Sequence, residues 1–420
     1  MSGSRLVRNS PDLARLVDEG YTVRIINGYL VVDDIPYVDA DMSVQWGSFL
    51  CPLDLVGDQT VKPSSHVMGF VGTSPCNKDG QPLADGFANP GLHSGWSAGS
   101  ELTASLGFSQ KPRPDGYWDY HEKVTTYAAI LLGPAQALDP TVTPRKFKPL
   151  ETDEDDGVFV YLDTFSSRAG ITARNQVLAL KKVVIVGLGG TGGYLLDLLA
   201  KTPILDIHLY DNDVFGTHNA FRAPGAASLT QLQVGMKKVD YYATTYAAMR
   251  RRVHPHPVNV TRENVGDLLD ADFVFLAMDS GPAKQTIIEA LVAAQVRFVD
   301  TGVGVSDDPG GIAGQIRITT STPGRSDHIA RDRLISTVAG NDAEYDTNLQ
   351  VAELNMAAAL FAVLRFKKLM GFYADEEDER HSVFRLDTNE MFNRYGTSDP
   401  ARVEAAVEER DTAGKEDEAA

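Results

Sequence analysis

Apolar and polar positions along this chain form two textures, and the change falls near residue 150. The first begins with SPDLARLVDEG, a short helix capped by Ser10 and stopped by Gly20. YTVRIINGYLVVDDIPYV then alternates as strands do, with Asn27-Gly28 as the hairpin signal. Glycine, proline and aromatic residues follow in FVGTSPCNKDGQPL and GFSQKPRPDGYWDYHEK, which predicts a compact, loop-rich α+β or mainly β domain over residues 1–150. ETDEDDG, with five acids in seven residues, reads as a solvated linker over 151–157. Beyond it short apolar runs alternate with helical patterns. KVVIVGL, DIHLYDND, DFVFLAMD and RFVDTG are strands; GGYLLDLLAKT, VGMKKVDYYATTYAAMRRRV and AKQTIIEALVAAQ are helices. This is the βαβ rhythm of a Rossmann-like, doubly wound, mainly parallel sheet, expected over residues 158–373. LQVAELNMAAALFAVLRFKKLMGF closes that domain as a helix apolar on much of its surface, packed on the domain itself or on a second subunit. Residues 374–420 form a polar, acidic tail with a frayed, partly disordered end.

Composition narrows the class. A chain of 420 residues exceeds what one core usually serves, so two domains are expected. With 43% hydrophobic and 23% charged residues the chain reads as globular. The net charge of -18 argues against nucleic acid as the main partner, because phosphate binding needs concentrated Lys and Arg. Cys51 and Cys76 are too few for a disulfide framework or a four-cysteine zinc site, so no zinc is expected and a reducing cytoplasm fits best. The apolar C-terminal helix is interrupted by Glu353, Arg365 and Lys367, and the N-terminus lacks a signal-peptide core, so no membrane segment is expected.

Candidate chemistry concentrates between Val183 and Asp279. Gly187, Gly189 and Gly192 satisfy G-x-G-x-x-G between a strand and a helix. The first glycine allows the turn, the second admits phosphate to the backbone, and the third lets helix and strand approach. Phosphate then meets the free N–H groups of the helix N-terminus. Asp211 ends the next strand, where a carboxylate accepts hydrogen bonds from ribose hydroxyls. These features alone suit an NAD(P)-dependent oxidoreductase equally well. The residues that follow discriminate: Asp213, Asn219, Arg222, Lys238 and Asp279 supply cations for a polyphosphate and an acid for Mg²⁺. An oxidoreductase leaves them unexplained, and its Tyr-x-x-x-Lys pair is absent, Tyr120 and Lys123 being one residue too close. Plain alternatives stand beside the functional ones. Lys237, Lys238 and Arg168 also read as surface cations, and Asp213 as a turn cap.

GxGGxG, then DxDxV with Asn and Arg eight and eleven residues after its first Asp, then a Lys in KKV and a later strand-end Asp, resembles the E1-like adenylyltransferase superfamily. That group includes ubiquitin-activating enzymes and the enzymes that activate sulfur-carrier proteins for molybdopterin and thiamine synthesis. The resemblance covers about residues 160–370. It implies an ATP- and Mg²⁺-dependent enzyme that adenylates the C-terminal carboxylate of a small β-grasp, ubiquitin-like or sulfur-carrier protein ending in glycine, and releases pyrophosphate. It further implies that Gly187, Gly189, Gly190 and Gly192 surround the adenosine and phosphate, Asp211 holds ribose, Asn219, Arg222 and Lys238 contact phosphates, and Asp279 binds Mg²⁺. In related homodimers an upstream arginine reaches the partner's ATP; Arg168 is the match and Arg174 the reserve.

The chain also departs from that pattern. Residues 280–420 contain no cysteine for a thioester, and the paired Cys-x-x-Cys zinc ligands of many relatives are missing. Adenylation alone, handover to a separate thiol or amine, or a thiol in the N-terminal domain remain, and for the last Cys76, near His66 in sequence, is the candidate. A free cysteine is more often a small buried hydrophobe, and Cys51 looks like core. Tyr117, Trp118, Tyr120 and His121 form a recognition surface or a packed cluster. The N-terminal domain is expected to position the protein substrate or a conjugating or sulfur-transfer partner. A non-catalytic nucleotide-binding scaffold is the remaining alternative.

Overall fold

The computed structural model describes residues 3–83, 88–89, 96–98, 102–152, 157–337 and 350–395. The chain divides into two compact units, Met1–Arg174 with Ala248–Arg251, and Asn175–Ala247 with Arg252–Ala420.

In the first unit, α1 (Gly3–Asn9) and α2 (Pro11–Asp18) precede a six-stranded antiparallel sheet. Its strands are β1 (Thr22–Ile26), β2 (Tyr29–Val38), β3 (Val44–Pro52), β6 (Val67–Val71), β7 (Ala88–Asn89) and β8 (Leu106–Ser109), in the order β1-β2-β3-β6-β8-β7. Two short strands, β4 (Leu55–Val56) and β5 (Gln59–Thr60), pair separately. Asn27 and Gly28 both have positive φ, 49° and 80°, as a two-residue type I′ turn requires, and set Ile26 opposite Tyr29. The Ser10 side chain does not cap α2; its hydroxyl accepts the Thr60 N–H instead.

A helix not expected from the sequence, α3 (Tyr120–Leu138), supplies much of this core through Tyr120, Val124, Tyr127 and Leu131, which pack with Phe49, Phe70 and Phe108. Its aromatic start and internal Pro134 obscure the helical pattern. Tyr117, Tyr120 and His121 are therefore packing residues, whereas Trp118 is exposed beneath the Arg113 guanidinium, 4.6 Å from the ring. Lys123 is buried beside them and donates to the Ser65 carbonyl. Cys51 is buried in β3, as expected. Cys76 is also buried, against Val38, Ala135 and Val142, and burial pushes its thiol pKa up. Burial and the nearby Asp39 carboxylate both disfavour a thiolate at Cys76, whereas a nucleophilic thiolate is favoured by exposure and a cationic neighbour.

The unit does not stop at the acidic stretch. Glu151 bridges Tyr161, the chain continues through α4 (Thr164–Arg168) and α5 (Thr172–Asn175), and Ala248–Arg251 returns to it with the Val160 N–H on the Met249 carbonyl. Residues 153–156 of the expected linker lie outside the described residues.

The second unit is an eight-stranded sheet in the order β11-β10-β9-β12-β13-β14-β15-β16. The strands β9 (Lys182–Val186), β10 (Asp206–Tyr210), β11 (Val253–His256), β12 (Phe273–Leu276) and β13 (Phe298–Asp308) are parallel to one another. After β9 the chain builds outward through β10 and β11, then crosses to β12 on the other side, which opens a crevice at the strands' carboxyl ends. The helices α6 (Gly190–Leu199), α7 (Thr217–Ala220), α8 (Leu229–Val234), α9 (Lys238–Tyr246) and α10 (Pro282–Ala293) connect them. β13 then turns back antiparallel into β14 (Gly311–Ser321), followed by α11 (Asp327–Asp332).

α12 (Ala352–Leu369) packs on its own unit: Phe366 meets Phe273 and Phe275 at 4.8 and 5.5 Å between ring centroids. The segment read as a tail contains β15 (Glu379–Arg385), antiparallel to β14, and β16 (Glu390–Tyr395), antiparallel to β15, which extend the sheet. Their polar outward positions conceal an alternation that the Ile316–Phe384 and Ile318–Ser382 register puts to use. No described helix is long and apolar enough to cross a membrane.

Candidate active site

The crevice at β9 and β12 holds a cavity of about 800 Å³. Its geometry starts with the glycines. Gly187 follows β9 at φ 90°, and a Cβ there would stand 2.5 Å from the Ala277 carbonyl oxygen. A Cβ on Gly192 would run into the Gly187 carbonyl oxygen, and one on Gly190 into the Asn355 carboxamide. Gly189 differs from these three: nothing lies within 4 Å of its missing Cβ, and it caps the N-terminus of α6. The backbone is thus packed shut on three sides of the turn and open where it faces the cavity, beside the unpaired N–H groups of a helix start.

Asp211 follows β10 and is nearly buried. Its Oδ2 accepts the Leu188 N–H at 2.7 Å and its Oδ1 the Asp213 N–H at 2.8 Å, so it braces the glycine turn while lining the cavity. Lys238 is buried at the start of α9, with Nζ 2.6 Å from Asp213 and 3.7 Å from Asp211. Lys237 is half-buried and tied to Asn212, so the two adjacent lysines have different settings. Arg222 lines the cavity with its Nε buried and without a hydrogen-bond partner among the described residues.

Asn219 lies outside the cavity lining. Its Oδ1 accepts the Gly216 N–H at 2.9 Å, which fixes the α7 turn that delivers Arg222, and its Nδ2 is buried without a partner among the described residues. Asp279 sits three residues past β12, exposed at the cavity, and its carboxylate makes no hydrogen bond or ion pair among the described residues. Arg168 ends α4 in the first unit and its side chain lies outside the described residues; Arg174 is exposed.

Several cavity residues carried no sequence signal. Asn355, on α12, is buried with Oδ1 accepting from the Thr191 hydroxyl at 3.1 Å, while its Nδ2 has no partner among the described residues. A single amide, set among apolar residues in the first half of the helix, is the one clue the sequence offers for it. Lys284, at the start of α10, Thr301 on β13, and Gln315 and Arg317 on β14 line the far side. Among the described residues no cluster of three or more His, Cys, Asp or Glu could hold a metal ion. A single free carboxylate at Asp279 suits Mg²⁺ all the same, since that ion is commonly held by one or two carboxylates together with substrate phosphates.

A parallel sheet in this strand order, a glycine turn open to a cavity and a cation-bearing rim define a nucleotide-binding α/β domain. Residues 165–401 match the model described as the ThiF family, and the chain belongs to that family, within the E1-like adenylyltransferase superfamily. Residues 11–164 match a model described as Domain of unknown function (DUF6791). No curated protein matches the chain. Among solved structures it is similar to E. coli MccB with ATP, at 18% identity and a TM-score of 0.41 over 54% of this chain and 67% of that one. The microcin C7 biosynthetic enzyme MccB in complex with N-formylated MccA matches at 18% and 0.42 over 53% and 66%. PaaA matches at 18% and 0.41 over the same shares. The chain therefore spans about two thirds of the length of each.

Proposed function

We propose that the second unit binds MgATP in this cavity and transfers AMP to the C-terminal carboxylate of a peptide or small protein. A carboxylate oxygen bonds to the α-phosphorus, the bond from that phosphorus to the bridging oxygen breaks, and pyrophosphate leaves with the electron pair. The observation that carries this reading is the pairing of an open, side-chain-free position at Gly189 with Arg222, Lys238 and Asp279 around one cavity. Family membership supports the same class of reaction.

Each residue has a part that its contacts suit. Gly187, Gly190 and Gly192 hold the turn so that the α6 N–H groups and the bare Gly189 backbone receive phosphate. Asp211 keeps acceptor capacity for ribose hydroxyls beyond its two backbone contacts. Arg222 offers an unpartnered donor to the phosphates. Lys238 reaches them by giving up Asp213, which is 72% exposed and so holds the lysine only weakly. Asn219 positions Arg222 through its turn. Asp279 would hold Mg²⁺, which when bound shields the charge between phosphates. The substrate class we favour is a β-grasp protein with a terminal glycine, with Arg168 completing the site of a partner copy in a homodimer.

The test is substrate-dependent exchange of labelled pyrophosphate into ATP, using small proteins that end in Gly-Gly. Asp279→Ala and Arg222→Ala are expected to lose at least a hundredfold, the scale of removing one electrostatic contact to a transition state. Unchanged exchange in both variants would remove the site assignment.

A further inference from the structure

The cavity has a second charged region that the nucleotide reading does not use. Asp300 on β13 is fully buried, with Lys284 Nζ 2.5 Å from its Oδ1 and Arg317 Nη2 3.9 Å from its Oδ2. Lys284 is itself 1% exposed and donates to the Met278 carbonyl at 3.3 Å, next to Asp279. Lys284 and Arg317 both line the cavity, but Arg317 is the more open of the two: its side chain is 26% exposed, and its Nε is buried without a partner among the described residues. Burying an ionised carboxylate is expensive without compensation, and Lys284 supplies it. Arg317 is then surplus. Whichever way the Asp300 proton sits, the three side chains carry at least one uncompensated positive charge, and Arg317 presents it.

The strand register explains how Arg317 comes to lie there. Gly302 stands opposite Arg317, and Gly304 opposite Gln315. A Cβ at Gly302 would lie 2.6 Å from Arg317 Nη2, and one at Gly304 would lie 3.3 Å from Gln315 Cγ. The two glycines on one face of β13 thus let both side chains lie flat across the sheet, and the cavity stays open above them. Across the sheet, β14 is three strands from β9, so Arg317 stands on the order of 14 Å to the side of the glycine turn. The phosphates already have the α6 N–H groups, Arg222 and Lys238 on that nearer side.

We propose that Arg317 receives the terminal carboxylate of the acyl substrate, and that Lys284 and Asp300 are positioning residues that fix its guanidinium. The inference rests on the adenylylation reading and names the group that recognises its second substrate. A planar guanidinium takes a carboxylate through two parallel hydrogen bonds. It releases the group once adenylation turns the anion into a neutral mixed anhydride carbonyl. The site therefore selects a chain with a free C-terminus and rejects an amidated one.

The experiment uses a fluorescein-labelled decapeptide ending in Gly-Gly as the free acid, and the same peptide as its amide. Anisotropy is followed on the full chain with and without the ATP analogue AMPCPP and Mg²⁺. The wild type is expected to bind the acid at least tenfold more tightly than the amide. Arg317→Met is expected to bind both alike with unchanged AMPCPP affinity, and Arg317→Lys to keep part of the preference. Gly302→Ala retains every charge but displaces the guanidinium, so it serves as a second variant and is expected to lower the preference. Failure of the wild type to favour the acid, or a full preference in Arg317→Met, would overturn the proposal. A fall in AMPCPP affinity in Arg317→Met would assign the cation to the pyrophosphate and overturn it as well. Failure of the wild type to bind AMPCPP would instead strike at the nucleotide reading, while the acid–amide comparison without nucleotide still tests Arg317.

Discussion

Adding one methyl group at Gly187 and at Gly189 should have opposite consequences, although the positions are two residues apart. At Gly187 the φ of 90° puts an L-residue in the left-handed region, which costs about 1–2 kcal/mol. The new Cβ would also sit 2.5 Å from the Ala277 carbonyl oxygen and 2.8 Å from its carbon, both backbone atoms that cannot rotate away. Ala277 is tied to β9 through its N–H on the Val186 carbonyl, so relief of the clash disturbs the centre of the sheet, adding about 1–3 kcal/mol. The total is about 2–5 kcal/mol. For a unit of this size each kcal/mol lowers the unfolding midpoint by about 2–4 °C, which gives a loss on the order of 10 °C for Gly187→Ala. At Gly189 the backbone is extended (φ −70°, ψ −154°) and the Cβ meets nothing, so only the helix-cap preference is lost, about 0.5–1 kcal/mol. That methyl instead fills the place where phosphate would touch the backbone. Calorimetry and AMPCPP titration on the two variants measure both effects. The expected pattern is a lowered midpoint in Gly187→Ala, and in Gly189→Ala a near-native midpoint with nucleotide affinity reduced at least tenfold. Native affinity in Gly189→Ala would refute the assignment of this turn to phosphate.

Three further outcomes follow from the packing. Lys284→Met leaves the buried Asp300 with only the Arg317 guanidinium, 3.9 Å away, and should destabilise by about 3–5 kcal/mol in urea unfolding, with partial recovery when Asp300→Asn is added; an additive double variant would refute the pairing. Cys51 and Cys76 are both buried with raised thiol pKa values, so neither should react with a thiol reagent before the chain unfolds, and Cys76→Ser should retain any adenylation activity. Burial, aided by nearby positive charge, holds His208 and His381 down to about 4, against 6.5 when unfolded. The unfolded chain therefore binds more protons between those values, and the stability these neutral imidazoles contribute is complete above pH 6.5 and lost as pH falls toward 4. Urea midpoints measured over that range should fall less steeply in a His208→Gln, His381→Gln double variant than in the wild type.

How much of this was legible in the sequence depends on whether a residue's role is local. The glycine turn, Asp211 and the strand–helix rhythm around them were readable because a tight turn into a helix demands its residue types at fixed spacing. Lys238 and Asp279 were readable only as members of a motif set. The edge strand β11 was hidden by Pro255, tolerated because an edge strand has one side free of ladder bonds. α3 was hidden by its aromatic start, and the β15–β16 hairpin by its polar outward positions.

The charged region on β13 and β14 was hidden for a different reason. Lys284, Asp300 and Arg317 are spread along the chain, and each alone reads as an ordinary charge on a helix or strand. What joins them is the antiparallel return of β14, which places Arg317 opposite Gly302 and two residues along β13 from Asp300. The turn that fixes this register lies at Pro309 and Gly310, where no chemistry resides. A one-residue slip there would turn the Arg317 side chain to the opposite face of the sheet, away from the cavity, since successive strand residues alternate sides. The specificity we assign to Arg317 is thus set by a hairpin register rather than by any local motif. Moving that register by one residue, through an insertion at Gly310, should abolish the acid–amide preference while leaving the glycine turn and its nucleotide untouched.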